Sequence, residues 1–259
     1  MPLPQKKPVT GYLLKYIAMV SMVLDHINMV VIRHGIYRPW MLEEGYYCFD
    51  TVPSWFSGVH VLYRIFDILG HMAFPLYAFL LAEGFIHTRS RRRYLLTLLT
   101  FALLSEPIYN LAHYQSFFGA QLQNVLFTLT IACGQLWLLS LLEKKQLTGF
   151  TLWAWRTAIL IGAGGLALAI RSEYVFLGTL ACALFYLLRH AGAWRLLGLL
   201  PLTVVSPWIL LDTPLLFFYG GQRGRRGRKY FFYLFYPVHF LLLMGLAALA
   251  ANFLTHRYF

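Results

Sequence analysis

Two ionisable residues, Asp25 and His26, stand side by side within an apolar run that extends from Tyr12 to Ile32. A run of about 20 apolar residues is long enough to cross a membrane as a helix. Ionisable side chains are costly in a bilayer core, so they need a partner, a wet cavity or a function. Because imidazole changes charge near neutral pH, His26 is a candidate general base at mid-membrane.

Lys15 lies eleven residues before His26, which is three helical turns plus about 20°, so both share one helix face about 16 Å apart. This spacing suits an elongated ligand whose anionic end stays at the membrane surface. The alternative is a lysine that extends to the surface and a core histidine bonded to a neighbouring helix. Asp25 points about 100° away from His26 around the helix axis. Its partner is expected on another helix, with Arg64 or His71 as candidates, and it could equally form a buried ion pair that fixes helix register.

Two arginine-rich stretches, RSRRR (89–93) and GGQRGRRGRK (220–229), are candidates for phosphate binding. Arginine presents a planar fork to phosphate oxygens, and glycines let backbone amides approach an anion closely. The alternatives are a topology signal for the first stretch and a basic loop that meets anionic lipid for the second.

The amino-acid composition indicates the class of structure that positions these residues. The chain has 259 residues, of which 59% are hydrophobic and only 12% are charged, too few charges for a soluble surface. Its apolar runs are continuous rather than alternating, which favours helices over a β-barrel. We therefore predict an all-α polytopic integral membrane protein, one domain over residues 1–259, with about eight transmembrane helices. The predicted spans are 12–33, 62–86, 94–113, 124–142, 151–170, 174–189, 194–219 and 230–254.

The net charge of +12 is explained by basic loops on the cytoplasmic face rather than by nucleic acid. Simple alternation places the N-terminus inside and the aromatic loop 34–60 outside, where we expect it to form a lid. The basic stretch 220–229 would then fall outside if 194–219 crossed once. Because prolines break 194–219, we expect a broken or re-entrant segment that returns the loop to the cytoplasm. Pro75 is expected to kink the second span.

The chain has three cysteines, and their spacing predicts neither a metal site nor a disulfide framework. We expect no metal.

Four stretches together resemble the TraX family of bacterial membrane proteins. They are LKYIAMVSMVLDHI (14–27), AFPLYAFLLAEGFIHT (73–88), NVLFT (124–128) and YGGQRGRRGRKYFFYLFYPVH (219–239). The resemblance implies a multi-pass protein of the bacterial inner membrane, because founding members of this family are N-acetyltransferases there that modify pilin at its amino terminus. The Lys15–x10–His26 spacing is also similar to the Arg–x10–His signature of the membrane acyltransferase-3 group, in which the histidine is taken as catalytic and acyl-CoA is the donor.

The resemblance implies acetyl-CoA as co-substrate and the lipid bilayer as surroundings. The acceptor would be a membrane-embedded, pilin-like peptide or an envelope glycan or lipid. His26 would be the general base, with Asp25 and Asn124 also catalytic and Asn124 donating to the developing oxyanion. The residues expected to hold acetyl-CoA are Lys15, Arg92, Arg93, Tyr219, Gly221, Arg223, Gly224 and Lys229. Supporting roles around these residues are expected for His71, Glu83, Tyr236 and His239.

The chain also departs from the family pattern. His71 stands where an arginine is usual, Gly220 where an asparagine is usual, and Glu173 where an aspartate is more common; loop 34–60 is expanded. These departures suggest a different acceptor with the CoA side kept. A rival interpretation is a proton-coupled transporter or flippase that uses Asp25 and His26 at the membrane midplane. The dense Arg/Gly loop favours the acetyltransferase, since a transporter does not need it.

Overall fold

The computed structural model describes residues 8–40, 53–119, 121–224 and 229–258, and the regular elements in these ranges are helices. The α-helices are α1 (Gly11–His26), α2 (Phe56–Gly70), α3 (Ala73–His87), α4 (Arg91–Tyr114), α5 (Val125–Lys144), α6 (Gly149–Ala169), α7 (Val175–Leu187), α8 (Thr213–Phe217) and α9 (Lys229–Tyr258). A π-helical segment, Ile27–Ile36, extends α1, and 3-10 helices cover Arg38–Trp40, Gly192–Val204 and Pro207–Asp212.

Within the described residues, six helical stretches are long and apolar enough to cross a membrane. They are Gly11–Ile36, Phe56–His87, Arg91–Tyr114, Val125–Lys144, Gly149–Ala169 and Tyr230–Tyr258, and shorter apolar helices lie at Val175–Leu187, Gly192–Val204 and Pro207–Phe217. The predicted all-α, multi-pass architecture is therefore confirmed.

The first helix keeps α-geometry from Gly11 to His26 and then widens into the π-helical segment. Thr10 caps its start by accepting a hydrogen bond from the Leu13 amide. Lys15 and His26 both lie in the α-helical part, so the shared face predicted from their spacing is present. π-Helical turns occur frequently at functional sites, and this one begins directly after His26.

The second predicted span, 62–86, is two helices, α2 and α3, separated at His71 and Met72. The kink expected at Pro75 is wrong, because Pro75 lies in the first turn of α3. A proline is tolerated there, since the first-turn amides have no partner within the helix. The interruption instead comes just before it, after Gly70.

Residues 192–217 form a hairpin whose two ends meet. One guanidinium nitrogen of Arg195, near its start, donates to the carbonyls of Leu216 (2.6 Å) and Tyr219 (3.1 Å), at and just beyond its end. The two ends of the segment predicted as 194–219 therefore lie on one side, as the re-entrant alternative requires. Its 3-10 geometry agrees with its prolines, which remove the amides that a regular α-helix would use.

The loop after this hairpin packs against the start of α1. The Gly11 amide donates to the Gln222 carbonyl (2.8 Å), and the Tyr12 amide donates to the Arg223 carbonyl (3.0 Å). Gly224 has φ +73°, and a Cβ there would lie 2.9 Å from Thr10 Oγ1, so only glycine fits without a shift. Residues 219–224 thus lie on the same side of the bundle as the N-terminus, below called the near side. Its assignment to the cytoplasm stays a prediction.

The predicted loop 34–60 is shorter than expected, because residues 34–36 continue the π-helical segment and 56–60 begin α2. Trp40 and Trp55 pack with Phe56 and with Tyr258 at the end of α9. Residues 41–52 lie outside the described part of the chain, so the lid stays a prediction.

Candidate active site

His26 lies in the centre of the bundle, with only 7% of its surface exposed. Its Nδ1 is 2.6 Å from Nε2 of His239 on α9, and the two rings lie nearly coplanar, with centroids 4.9 Å apart and an angle of 22° between their planes. His239 is 3% exposed, and its other ring nitrogen, Nδ1, lies 2.9 Å from the Phe235 carbonyl. The structure thus joins two residues from the first and last helices in one buried hydrogen bond.

Aromatic rings and a third histidine enclose this pair. Phe240 packs on His26 with ring centroids 4.3 Å apart, and Tyr236 lies 6.3 Å away. His113 of α4 meets the His26 ring edge-on at 6.4 Å and stacks on Tyr109 at 3.8 Å. Water-poor surroundings of this kind strengthen hydrogen bonds and charge interactions.

Asp25 faces the break between α2 and α3. A Cβ added to Gly70 would lie 2.7 Å from Asp25 Cβ and 3.0 Å from its Cα. Ser21, one turn earlier, donates to the Leu69 and Gly70 carbonyls at the end of α2, and the Leu69 carbonyl also accepts from the Met72 amide (3.3 Å). The charges that act on Asp25 include that of His71, one of its two candidate partners. Asp25 therefore packs on the helix break, on a different face from His26.

We expect Gly70→Ala to lower the unfolding temperature of the detergent-purified protein, because the new methyl group has no room beside Asp25. Overpacking of this kind costs about 1–3 kcal/mol. Gly58→Ala, on the same helix, is the matched control, since nothing lies within 4 Å of its would-be Cβ. Equal melting temperatures for the two variants would contradict the tight Gly70–Asp25 packing.

Asn124 is the N-cap of α5. Its Oδ1 accepts from the Leu126 amide (2.9 Å), and its Nδ2 donates to the Ala102 carbonyl (2.9 Å) and to Oε2 of Glu106 (2.6 Å). Because both Nδ2 hydrogens have acceptors, the amide would have to release one before donating to an oxyanion. The geometry supports a structural role in joining α4 to α5, and the oxyanion role stays a prediction.

Glu173 occupies the turn between α6 and α7, close to this cap. Thr128 donates to its backbone carbonyl, and its backbone amide donates to the Gln123 carbonyl (3.0 Å). Burial raises the pKa of the Glu173 carboxyl to about 8, and the charge of Asp25 adds to the shift. A raised pKa favours the protonated, neutral form of this carboxyl.

The near side holds a separate basic cluster. Lys15 Nζ lies 5.5 Å from the centre of the Phe232 ring, and the charge of Arg223 acts on it. The Tyr219 hydroxyl donates to Oε2 of Glu83 at 2.8 Å. Lys15, Glu83, Tyr219 and Arg223 are residues for which the resemblance implies a place at or near acetyl-CoA, and the fold brings them together from three parts of the chain.

Arg92 and Arg93 line a groove of about 440 Å³ between the start of α4 and Tyr230 of α9. Ser90 caps α4 beside them by accepting from the Arg93 amide (3.3 Å). Across the described ranges, neither arginine has a carboxylate within salt-bridge distance. A helix N-terminus with two such guanidinium groups suits a phosphate.

The predicted residues thus form two groups, one on the near side and one at the bundle centre. Two further predicted residues belong to the near-side part of the chain: Gly221, which has φ +70°, and Lys229, which begins α9. Arg93 and Tyr109 are sixteen residues apart on α4, which is about 24 Å along the axis. The groups are therefore separated by a distance that only an elongated ligand would span.

The sequence analysis did not predict that Glu106, Tyr109 and His113 lie near the predicted site residues, or that Glu173 lies close to the Asn124 cap. Glu106 and His113 lie in or at the end of the predicted span 94–113, so the rule applied to Asp25 and His26, that ionisable groups inside spans need a reason, would have found both.

Comparison with known proteins gives a family match over most of the chain. The family model described as "TraX protein" matches residues 10–247. A curated relative, described as "Probable fimbrial assembly protein FimC, serogroup H1" from Dichelobacter nodosus, is 28% identical over 130 residues. That match covers 48% of this chain and 43% of the relative, so it spans less than half of either. No solved structure matches.

Proposed function

The chain belongs to the TraX protein family, and from this premise we propose that it is an integral-membrane acetyltransferase. It would carry an acetyl group from acetyl-CoA, bound on the near side, to an amine or hydroxyl at the membrane, with His26 as general base. The near side would be the cytoplasmic face of the bacterial inner membrane, because it carries the basic loops.

One observation supports this proposal most directly. An unbroken α-helix connects Lys15, in a basic near-side cluster, with His26, in a buried polar centre about 16 Å away along the axis. The phosphates of acetyl-CoA would meet Lys15, Arg223 and the Arg92–Arg93 groove. The thioester would lie at the other end of the pantetheine arm, near the imidazole.

The chemistry would follow from that placement. His26 would take a proton from the acceptor as its nitrogen or oxygen attacks the thioester carbonyl. The new bond to carbon forms, the carbon–sulfur bond breaks, and the CoA thiolate leaves as the thiol after taking up the proton. A positioned general base contributes about 10²–10⁴-fold to such a step.

The acceptor is proposed as a membrane-embedded, pilin-like peptide, with an envelope glycan or lipid as the alternative. The fimbrial assembly description of the relative supports the peptide. The residues that depart from the family pattern include Glu173, whose carboxyl feels the charge of Asp25.

The test is acetyl transfer by purified protein in lipid nanodiscs. The protein is given acetyl-CoA and a pilin-like N-terminal peptide or an envelope glycan, and acetylated product and free CoA thiol are measured. We expect both to appear in equal amounts. CoA binding should weaken as salt is raised, because exposed charge contacts are screened. Absence of CoA binding at low salt would refute the proposal.

A further inference from the structure

We propose that His239 is a positioning residue that fixes the tautomer of His26 and leaves Nε2 as the proton-accepting nitrogen of that ring. The chemical use of this nitrogen rests on the proposed acetyl transfer. The tautomer itself follows from the hydrogen bonds around the two rings.

The hydrogen bonds of His239 determine where the hydrogen lies between the two rings. Nδ1 of His239 lies 2.9 Å from the Phe235 carbonyl oxygen. A carbonyl can only accept, so this Nδ1 carries the hydrogen, and Nε2 of a neutral His239 is then a bare acceptor. That Nε2 lies 2.6 Å from Nδ1 of His26. The hydrogen between the rings must therefore belong to His26 Nδ1, and the lone pair of His26 is on Nε2.

Packing holds the two histidine rings in a single orientation. Phe235 stacks on His239 with centroids 5.3 Å apart and planes within 4°, and Phe240 packs on both histidines. The carbonyl that anchors His239 belongs to its own helix, one turn earlier, so α9 itself sets the ring orientation. His26 and His239 are both buried, so bulk water does not compete for the hydrogen bond.

The pair also suits a base that must hold a proton briefly. When Nε2 of His26 takes a proton, its Nδ1–H becomes a donor from a charged ring to the neutral His239. Charge-assisted hydrogen bonds of this kind are roughly twice as strong as neutral ones. The His239 contact therefore strengthens as His26 becomes charged, which is when the buried ring needs it.

Nitrogen-15 NMR of histidine-labelled protein in nanodiscs tests the inference directly, because the two ring nitrogens of each tautomer have different shifts. We expect the wild-type His26 to carry its hydrogen on Nδ1. His239→Leu should lose this preference, whereas His239→Gln should keep it, because the amide oxygen can accept from Nδ1. His113→Leu is the control and should leave the His26 tautomer unchanged. His113 also faces His26, but its Nδ1 bonds to the Tyr109 carbonyl and not to His26.

Acetyl transfer provides a second readout. His239→Leu should lower kcat by about 10²–10⁴-fold, because a base held in the wrong tautomer loses the usual contribution of a general base. The KM for acetyl-CoA should stay unchanged, and His239→Gln should partly restore kcat. A wild-type His26 protonated on Nε2, or a tautomer that His239→Leu does not change, would overturn the inference. A confirmed tautomer in a protein without acetyl transfer would instead refute only the proposed function.

Discussion

His26→Ala should lower the kcat for acetyl transfer by about 10²–10⁴-fold, the usual contribution of a general base. The imidazole is buried at the bundle centre, hydrogen-bonded to His239 and far from the near-side basic cluster. CoA binding should therefore survive the substitution, because its phosphates would meet residues about 16 Å or more away. Steady-state kinetics with calorimetric CoA titration separates these two effects.

The control for this variant is His256→Ala, whose exposed side chain lies in the last turn of α9. It should leave kcat and CoA binding as in the wild type. Unchanged turnover in His26→Ala would show that the Asp25–His26 pair is a structural contact that fixes helix register.

The double variant Arg92→Ala/Arg93→Ala should raise the KM for acetyl-CoA by about 10–10²-fold and leave kcat nearly unchanged. Each hydrogen bond to a charged group contributes about 1.5–3 kcal/mol. The expected loss for both arginines is smaller than the sum of two such contributions, because Arg92 and Arg93 are exposed. The fold should stay intact, since surface substitutions of this kind seldom cost more than about 0.5 kcal/mol.

Arg91→Ala is the matched control, one residue earlier on the same helix turn. Its guanidinium donates to Ser140 Oγ at 2.6 Å and stacks on Phe85, in a second groove that Arg92 and Arg93 do not line. Its KM should therefore stay at the wild-type value. If the double variant also keeps the wild-type KM, the run of arginines only sets membrane topology.

The sequence was sufficient for the helical membrane architecture, because long apolar runs leave few alternatives. It was also sufficient for the shared face of Lys15 and His26, since helical periodicity is regular between them. The re-entrant hairpin followed from charge and proline together. Each of these predictions depends on local sequence only.

The remaining features depend on contacts between distant helices. The break after Gly70 is stabilised by Ser21 and Asp25, which the α2–α3 sequence does not contain. His239 was expected in a supporting role, but its hydrogen bond to His26 depends on how α9 packs against the first helix. Asn124 looked free to donate, but its two amide hydrogens bond to Glu106 and to the Ala102 carbonyl of α4. Sequence periodicity and residue spacing do not predict contacts between distant helices of this kind.

The hydrogen bond between His26 and His239 joins residues 213 positions apart in the chain, and this has a consequence for biogenesis. Chains are made from the N-terminus, so α1 enters the bilayer well before α9 is synthesised. Ser21 gains its acceptors, and Asp25 its packing on Gly70, as soon as α2 and α3 follow. His26 must wait for α9. The hydrogen bond between His26 and His239 therefore closes only after α9 has been made, and a chain truncated before α9 lacks this partner of His26.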